Sequence, residues 1–324
     1  MDWIEATQAL QNAQNIIVVT HQRPDGDAIG SLLGLGNAIR GMGKNITCAV
    51  DDGVPEFLQF LPYSDTIVSE LQAGAWDLLI TTDIADQKRA GLVGEYAFAH
   101  SQTVINIDHH PTNPRFGDFH LVHDFATSAA EVVFDWWQHM GLAYGKDVAQ
   151  PLLTGLVTDT LGFRTSSTTA RTLEVANQLM QRGASLTEIM ARTMASQTAQ
   201  EFELWKRILP NAILDGEVVY ASVTQADAEA VGLEDTTDAG LVEFLVNINE
   251  AMVSAIFKER PDNQVGISLR AKRGYNVAEV AKHFGGGGHI QAAGATVDGT
   301  LDEIRQRALP LLHLATQKGK LDIV

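Results

Sequence analysis

The chain has 324 residues, 45% of them hydrophobic, and a formal net charge of −17. That length exceeds what one hydrophobic core comfortably serves, so two domains are expected, and the composition is that of a globular protein. The acidic balance argues against a coat for long DNA, whose non-specific affinity comes mainly from Lys and Arg on phosphates. It leaves room for a local basic pocket, a small anionic substrate or metal-binding carboxylates.

Cys48 is the sole cysteine, so there is no intramolecular disulfide and no thiolate metal cage. Its flanks, Ile46 and Ala49-Val50, predict a buried strand position. The opening residues Met1-Asp2-Trp3-Ile4-Glu5 lack the basic and apolar regions of a signal peptide. No apolar run is long enough to span a bilayer, so a cytoplasmic protein with no membrane partner is expected.

In chain order, Ile16 to Thr20 is a short β-branched run, a buried strand that ends in His21-Gln22-Arg23-Pro24-Asp25-Gly26-Asp27, a loop by its Pro and Gly. Ala28 to Met42 reads as a helix and Asn45 to Val50 as the next strand. Trp76 to Thr82 is apolar and stops at Asp83. Thr103 to Ile107 is apolar and stops at Asp108-His109-His110-Pro111. Buried strands alternating with helices predict a largely parallel α/β sheet. From Thr127 the chain turns helical: one helix capped by Thr127 or Ser128 and running through Glu131 to Met140, with Trp136-Trp137 packed against the sheet, then Asp147 to Thr158 leading into Asp159, then Ala170 to Arg182 and Leu186 to Ala195. Thr198 to Leu214 reads as one long connecting helix. Glu217 to Val223 opens a second α/β unit, with strands near Val253 to Phe257 and Val265 to Ala271. A helix from Tyr275 to Phe284 precedes Gly285-Gly286-Gly287-Gly288-His289. A strand near Ala295 to Val297 and a helix from Leu301 to Thr316 complete the chain.

Three apolar strands thus end in His or Asp, and in open α/β sheets ligands gather beyond the carboxyl ends of the strands. Singly, Pro-Asp-Gly-Asp is common turn chemistry and Asp83 an ordinary helix cap. Adjacent histidines beside Asp108 after a buried strand have little structural use, and Thr158-Asp159-Thr160 adds a fourth acidic segment. Imidazole and carboxylate without thiolate suit Mn²⁺, Mg²⁺ or a similar ion. The number of donors exceeds the needs of one ion and fits two, about 3.5–4 Å apart, which would activate water and stabilise charge in phosphoryl transfer.

His21-x-x-x-Asp25-x-Asp27, Asp83, Asp108-His109-His110 and Asp159 resemble the four motifs of DHH phosphoesterases. Gly285-Gly286-Gly287-Gly288-His289 with Ala292-Ala293-Gly294 resembles the signature of the DHHA1 domain. The resemblance spans nearly the whole chain in the expected order. It implies an α/β protein of two domains: a larger, mainly parallel DHH domain over 1–190, a helical linker over 191–215 and a smaller DHHA1 domain over 216–324. It implies one divalent cation on His21, Asp25 and Asp83 and a second on Asp27, Asp83, His109 and Asp159, with Mn²⁺ first and Mg²⁺ or Co²⁺ as alternatives. Asp108 would then orient a ligand, and His110 would contact the scissile phosphate or assist the leaving group.

Consecutive glycines let backbone N–H groups approach an anion, so Gly286, Gly287, Gly288 and His289 are candidate substrate contacts. Arg270, on a strand, resembles a further contact of that family and offers a fork suited to phosphate; Lys272 and Arg273 would extend a basic patch or solvate the strand end. Arg164 and Arg115 are weaker candidates. Within the family the chain resembles the stand-alone, NrnA-like oligoribonuclease and 3′-phosphoadenosine-5′-phosphate (pAp) phosphatase group. That implies hydrolysis of short single-stranded RNA, dinucleotides or pAp, held in a cleft too small for a long duplex; a homodimer stays open. A cyclic or linear dinucleotide phosphodiesterase of the same fold is the rival enzyme, a family inorganic pyrophosphatase fits the glycine-rich end less well, and a nucleotide-binding or metal-storage protein is the non-enzymatic alternative.

Overall fold

A computed structural model describes residues 2–165, 167–194 and 198–319. The chain divides into two compact units, Met1–Ser196 and Gln197–Val324. The first contains α1 (Trp3–Asn12), β1 (Asn15–Val19), α2 (Gly26–Gly41), β2 (Asn45–Ala49), β3 (Trp76–Thr82), α3 (Gly91–Ala99), β4 (Ser101–Asp108) and β5 (Phe119–Val122). Four helices follow: α4 (Ala129–His139), α5 (Lys146–Asp159), α6 (Ala170–Gln181) and α7 (Leu186–Thr193).

The five strands form one sheet in the order β2-β1-β3-β4-β5, and every pair is parallel. Successive residues of a strand face opposite sides, and β1 shows it: Ile16 and Val18 enter the core shared with α2, α4 and α5, while Ile17 and Val19 pack with Val93 and Ala97 of α3. Covering both faces explains why these strands read as continuous apolar runs. Cys48 is buried in β2 as expected, with burial pushing its thiol up to about 12. Trp136 and Trp137 are buried in the same core as β1 and β3. Helices α2 and α5 approach backbone to backbone: a Cβ on Gly30 would lie 2.6 Å from the Pro151 carbonyl oxygen and 2.7 Å from Gly155 N.

The second unit contains α8 (Ala199–Ile208), β6 (Ile213–Asp215), β7 (Val218–Val223), α9 (Gln225–Glu229), α10 (Leu241–Val246), β8 (Val253–Arg260) and β9 (Gln264–Ala271). It closes with α11 (Ala278–His283), β10 (Gly287–His289), β11 (Ala292–Asp298) and α12 (Leu301–Gly319). Its mixed sheet runs β10-β11-β9-β8-β7-β6, antiparallel except between β7 and β8. Helices α11 and α12 contribute to the core on one face and α8 and α10 to that on the other.

Several expectations are corrected. The long helix over Thr198 to Leu214 stops at Ile208; a 3₁₀ turn over Leu209–Asn211 and strand β6 replace its second half. Pro210 has no N–H to continue the helical ladder. The helix expected from Tyr275 begins only at Ala278, where Asn276 Oδ1 accepts the Ala278 N–H at 3.0 Å. The end of the preceding helix expected at Ala195 falls outside the described residues. No helix among the described residues is long and apolar enough to cross a membrane.

Candidate metal centre

The strand order reverses between β1 and β3, the position where open α/β sheets bind ligands. His21 follows β1 and Asp83 follows β3, so the sheet sets them side by side: His21 Nε2 lies 3.4 Å from Asp83 Oδ2. Thr20 Oγ1 donates to the Thr82 carbonyl at 2.8 Å, locking the two strand ends together. His21 Nδ1 is 2.8 Å from the Gln22 carbonyl oxygen. A carbonyl only accepts, so Nδ1 carries the proton and Nε2 turns a lone pair toward Asp83. Burial favours this neutral ring and lowers the His21 pKa.

Asp25 and Asp27 sit where β1 turns into α2. Asp25 is the N-cap, its Oδ1 accepting the Asp27 and Ala28 N–H groups at 3.1 and 3.0 Å. The turn-and-cap reading is therefore correct for one oxygen and leaves the other available. Asp27 is gripped from far along the chain: Oδ2 and Oδ1 accept the Ala129 and Ala130 N–H groups at 2.6 and 3.0 Å, at the positive N-terminal end of α4. A Cβ on Gly155 would lie 2.6 Å from Asp27 Oδ1, so α5 must carry glycine there for Asp27 to keep its place. Asp159 is the last residue of that helix.

His109 Nε2 lies 3.9 Å from Asp27 Oδ2, 3.6 Å from Asp83 Oδ1 and 3.5 Å from Asp159 Oδ2. These spacings are too long for hydrogen bonds and suit donors arranged around an ion about 2.1 Å from each. Three groups of donors fall within 4.8 Å of one another: His21, Asp25 and Asp83; Asp27, His109 and Asp159; and Asp83, Asp108, His109 and His110.

Burial, then neighbouring carboxylates, raise the proton affinity of three of the acids. Asp83 is raised well above the usual range by burial, then by Asp27 and Asp25. Asp27 is raised by burial, then by Asp159 and Asp25, despite its two backbone donors. Asp159 is raised to about 7, by burial and then by Asp25. Asp83 Oδ1 is buried with no hydrogen-bond donor among the described residues, in a residue held at φ +58°. Buried carboxylates that repel one another, around an unsatisfied oxygen, fit divalent cations. The donor set agrees: imidazole and carboxylate, no thiolate.

Asp108 differs. Its Oδ1 accepts from His110 Nδ1 at 2.8 Å and its Oδ2 from Asn113 Nδ2 at 2.6 Å. Burial alone would raise it, but these bonds and the imidazole charge outweigh burial and lower its pKa. The same pairing overcomes burial at His110 and raises that pKa. Asn113 also reaches Asn106 Oδ1 at 2.8 Å, and Asn106 reaches Thr81 Oγ1 at 2.9 Å. Sequence reading passed over both asparagines; the only local signal is Asn113 in the loop just after the paired histidines.

The other expected contacts are not among these donor groups. Arg115 is exposed, 3.6 Å from Asp124, and Arg164 is exposed with Nε on the Leu161 carbonyl at 2.8 Å. In the second unit, Arg270 pairs with Glu243 at 2.5 Å. Lys272 Nζ donates to the Ile248 and Asn249 carbonyls at 2.7 and 3.1 Å. The glycine run is not an open loop. The Gly285 and Gly286 N–H groups close the end of α11 on Lys282 and Ala281 at 3.0 and 2.9 Å, the pairing of a Schellman cap, with Gly285 at φ +74°. The Gly286 N–H is thereby committed to the helix. Gly287, Gly288 and His289 form the exposed edge strand β10 beside β11.

A parallel sheet with imidazole and carboxylate gathered at its switch point, followed in the chain by a mixed-sheet unit that carries a glycine hairpin, defines a DHH–DHHA1 protein, and the chain belongs to that family. Residues 15–158 match the DHH family, N-terminal domain, and residues 215–313 match the DHHA1 domain. The chain is 37% identical over 301 residues to the bifunctional oligoribonuclease and PAP phosphatase NrnA of Thermus thermophilus, spanning 91% of this chain and 88% of that protein. A crystal structure of an exopolyphosphatase-related protein from Bacteroides fragilis aligns with a TM-score of 0.87 at 26% identity, over 96% of this chain and 97% of that one. The cyclic-di-AMP phosphodiesterase GdpP of Geobacillus thermodenitrificans is less similar, at 24% identity over 97% of this chain and 49% of its own length.

Proposed function

We propose that the protein is a divalent-metal phosphoesterase that hydrolyses short oligoribonucleotides and pAp. The observation that carries this reading is the buried Asp83 Oδ1, which has no hydrogen-bond donor among the described residues and lies 3.6 Å from both His109 Nε2 and His110 Nδ1. The similarity to the Thermus enzyme supports the substrate class.

In this reading His21, Asp25 and Asp83 hold one cation, and Asp27, Asp83, His109 and Asp159 hold another, with Asp83 shared. Mn²⁺ is assigned first, with Mg²⁺ or Co²⁺ as alternatives. When bound, such a pair makes water a better nucleophile and stabilises charge on the entering and leaving oxygens. Asp108 fixes His110 through Nδ1, so Nε2 is the atom turned to the substrate. As the water gives up a proton to solvent and its oxygen bonds to phosphorus, the bond to the leaving oxygen breaks and the proton on His110 Nε2 passes to that oxygen. Burial alone would lower the His110 pKa, but the Asp108 hydrogen bond and charge outweigh it and favour the protonated ring. Arg270, with its fork of donors, and the strand Gly287, Gly288 and His289 are assigned to substrate binding. The acidic composition supplies no extended basic track for a long strand.

The test is a turnover panel with Mn²⁺, Mg²⁺ and Co²⁺. Release of phosphate from pAp and of mononucleotides from RNA of about two to five residues is expected to exceed turnover of long duplex by far. Equal kcat/KM on a long duplex and a dinucleotide would overturn the size preference, and selective turnover of cyclic dinucleotides would move the protein to the rival class.

A further inference from the structure

The cluster is built from acids and imidazoles, yet the turn bonded to its His21 loop carries a cation. Arg89 lies on the 3₁₀ turn Gln87–Ala90 between β3 and α3. That turn lies against the loop that carries His21, through a backbone hydrogen bond from Gln22.

The main chain of that turn is tied to the loop carrying His21. Gln22 N donates to the Arg89 carbonyl at 2.8 Å, and Arg89 N donates to the Asp86 carbonyl at 2.8 Å. Just downstream, the Asp51 carboxylate accepts the Leu92 and Val93 N–H groups, each at 2.7 Å. The same carboxylate accepts Gln22 Nε2 at 3.0 Å. Asp51 and Gln22 thus bind the Arg89 turn and the His21 loop into one block. A cavity of about 530 Å³, lined among others by Gln22, Lys88, Leu92 and Phe98, opens beside it.

Arg89 is exposed and, among the described residues, forms no ion pair. Arg115, Arg171, Arg207, Arg270 and Arg305 each meet a carboxylate. A guanidinium on a turn hydrogen-bonded to the His21 loop, and not paired with an acid among the described residues, is available to an anion that the cluster receives.

We propose that Arg89 is a substrate-binding residue, its guanidinium pairing with the non-bridging oxygens of the phosphate delivered to the cluster of His21, Asp83 and His110, and that Asp51 positions it. This rests on the phosphoesterase reading and adds a residue that the family motifs in the sequence did not single out.

The experiment compares wild type, Arg89→Ala and Arg89→Lys. Inorganic phosphate is titrated calorimetrically into protein saturated with Mn²⁺, Mn²⁺ affinity is measured separately, and kcat/KM is measured on pAp. Arg89→Ala is expected to weaken phosphate binding and lower kcat/KM by roughly ten- to 150-fold, the loss of one charge-assisted contact. Arg89→Lys, which keeps the charge without the fork, falls in between. Mn²⁺ affinity stays equal or tightens, because a like charge has been removed, and that sign separates ligand binding from structural support. Phosphate bound by Arg89→Ala as by wild type would overturn the proposal. So would Mn²⁺ affinity falling in step with phosphate affinity, or a wild type that binds no phosphate. The calorimetric measurement needs no turnover: a wild type that binds phosphate through Arg89 but hydrolyses nothing would sink the functional reading alone.

Discussion

The two units treat charge in opposite ways. In the first, Asp27, Asp83 and Asp159 are drawn together where burial and mutual repulsion raise their proton affinity. In the second, several cations meet an acid locally. Arg270 meets Glu243 at 2.5 Å. Lys258 meets Asp238 at 3.2 Å and Ser268 at 2.8 Å. Arg207 meets Asp227 at 3.3 Å. The first arrangement is unfavourable alone and becomes favourable when a cation enters. The Arg270–Glu243 pair is already balanced, so a phosphate that uses Arg270 must displace a carboxylate.

The largest expected effect breaks this contrast at its centre. Asp83→Ala should remove turnover by about a thousandfold or more, since the shared electrostatic support of both cation sites is lost, and calorimetry should find Mn²⁺ binding damaged at both. Without metal, Asp83→Asn should melt at a higher temperature than wild type, because a buried, unsatisfied charge is gone. A folded Asp83→Ala protein with normal turnover would end the dinuclear assignment.

A smaller effect is expected from the matched unit. Arg270→Ala should lower kcat/KM on pAp by roughly ten- to 150-fold with Mn²⁺ affinity unchanged. Its stability should move by no more than about 1 kcal/mol, as for a partly exposed pair. Glu243→Gln, which releases the guanidinium, should lower KM modestly. Loss of Mn²⁺ binding in either variant would erase the division of labour between the units.

The smallest effect sharpens the contrast through pH. The Asp159 pKa is raised from 3.8 to about 7, and Asp27 and Asp83 are raised in the same direction. The folded, metal-free protein therefore holds more protons than the unfolded chain in this window. Its stability should be greatest near the low end and fall as pH rises from about 4 through about 7. The lowered Asp108 and His21 work the other way, losing stability on acidification. Melting scans should show metal-free Tm falling between pH 5 and pH 8, and added Mn²⁺ should raise Tm more at pH 8 than at pH 5. A metal-free Tm rising over that range would contradict the electrostatics of the cluster.

The cluster's donors were largely legible because each closes a feature that local physics makes visible. The runs at β1, β3 and β4 are apolar on both faces, and His21, Asp83 and Asp108 interrupt them. The contacts that hold those donors were not legible. Nothing near Asp27 announces that the Ala129 and Ala130 N–H groups, over a hundred residues away, will take its oxygens. Asn113 reads as a loop residue until Asp108 and Asn106 meet it. The glycine run misled because glycine suits an open loop, a helix cap and a strand alike, and here the end of α11 and the pairing with β11 decide. Strand β5 escaped because four residues carry too little periodicity to read, and α8 was overextended across Pro210.

By itself, the sequence determined which donors exist, their order and their chemistry: six Asp and His side chains on four segments, no thiolate partner, and a strand or loop end at most of them. It also determined that a second α/β unit follows, since the alternation of apolar runs and turns is local. The tertiary structure decided that β1 lies beside β3, placing His21 against Asp83 although Thr20 and Thr82 are 62 residues apart. It decided that Gly30 and Gly155 let α2 and α5 close up over Asp27, and that Asp83 keeps an oxygen that no donor among the described residues reaches while Asp108 has both of its oxygens satisfied. Those outcomes depend on which faces pack together and how far each charge ends up from water, and both are properties of the folded chain rather than of any window of it.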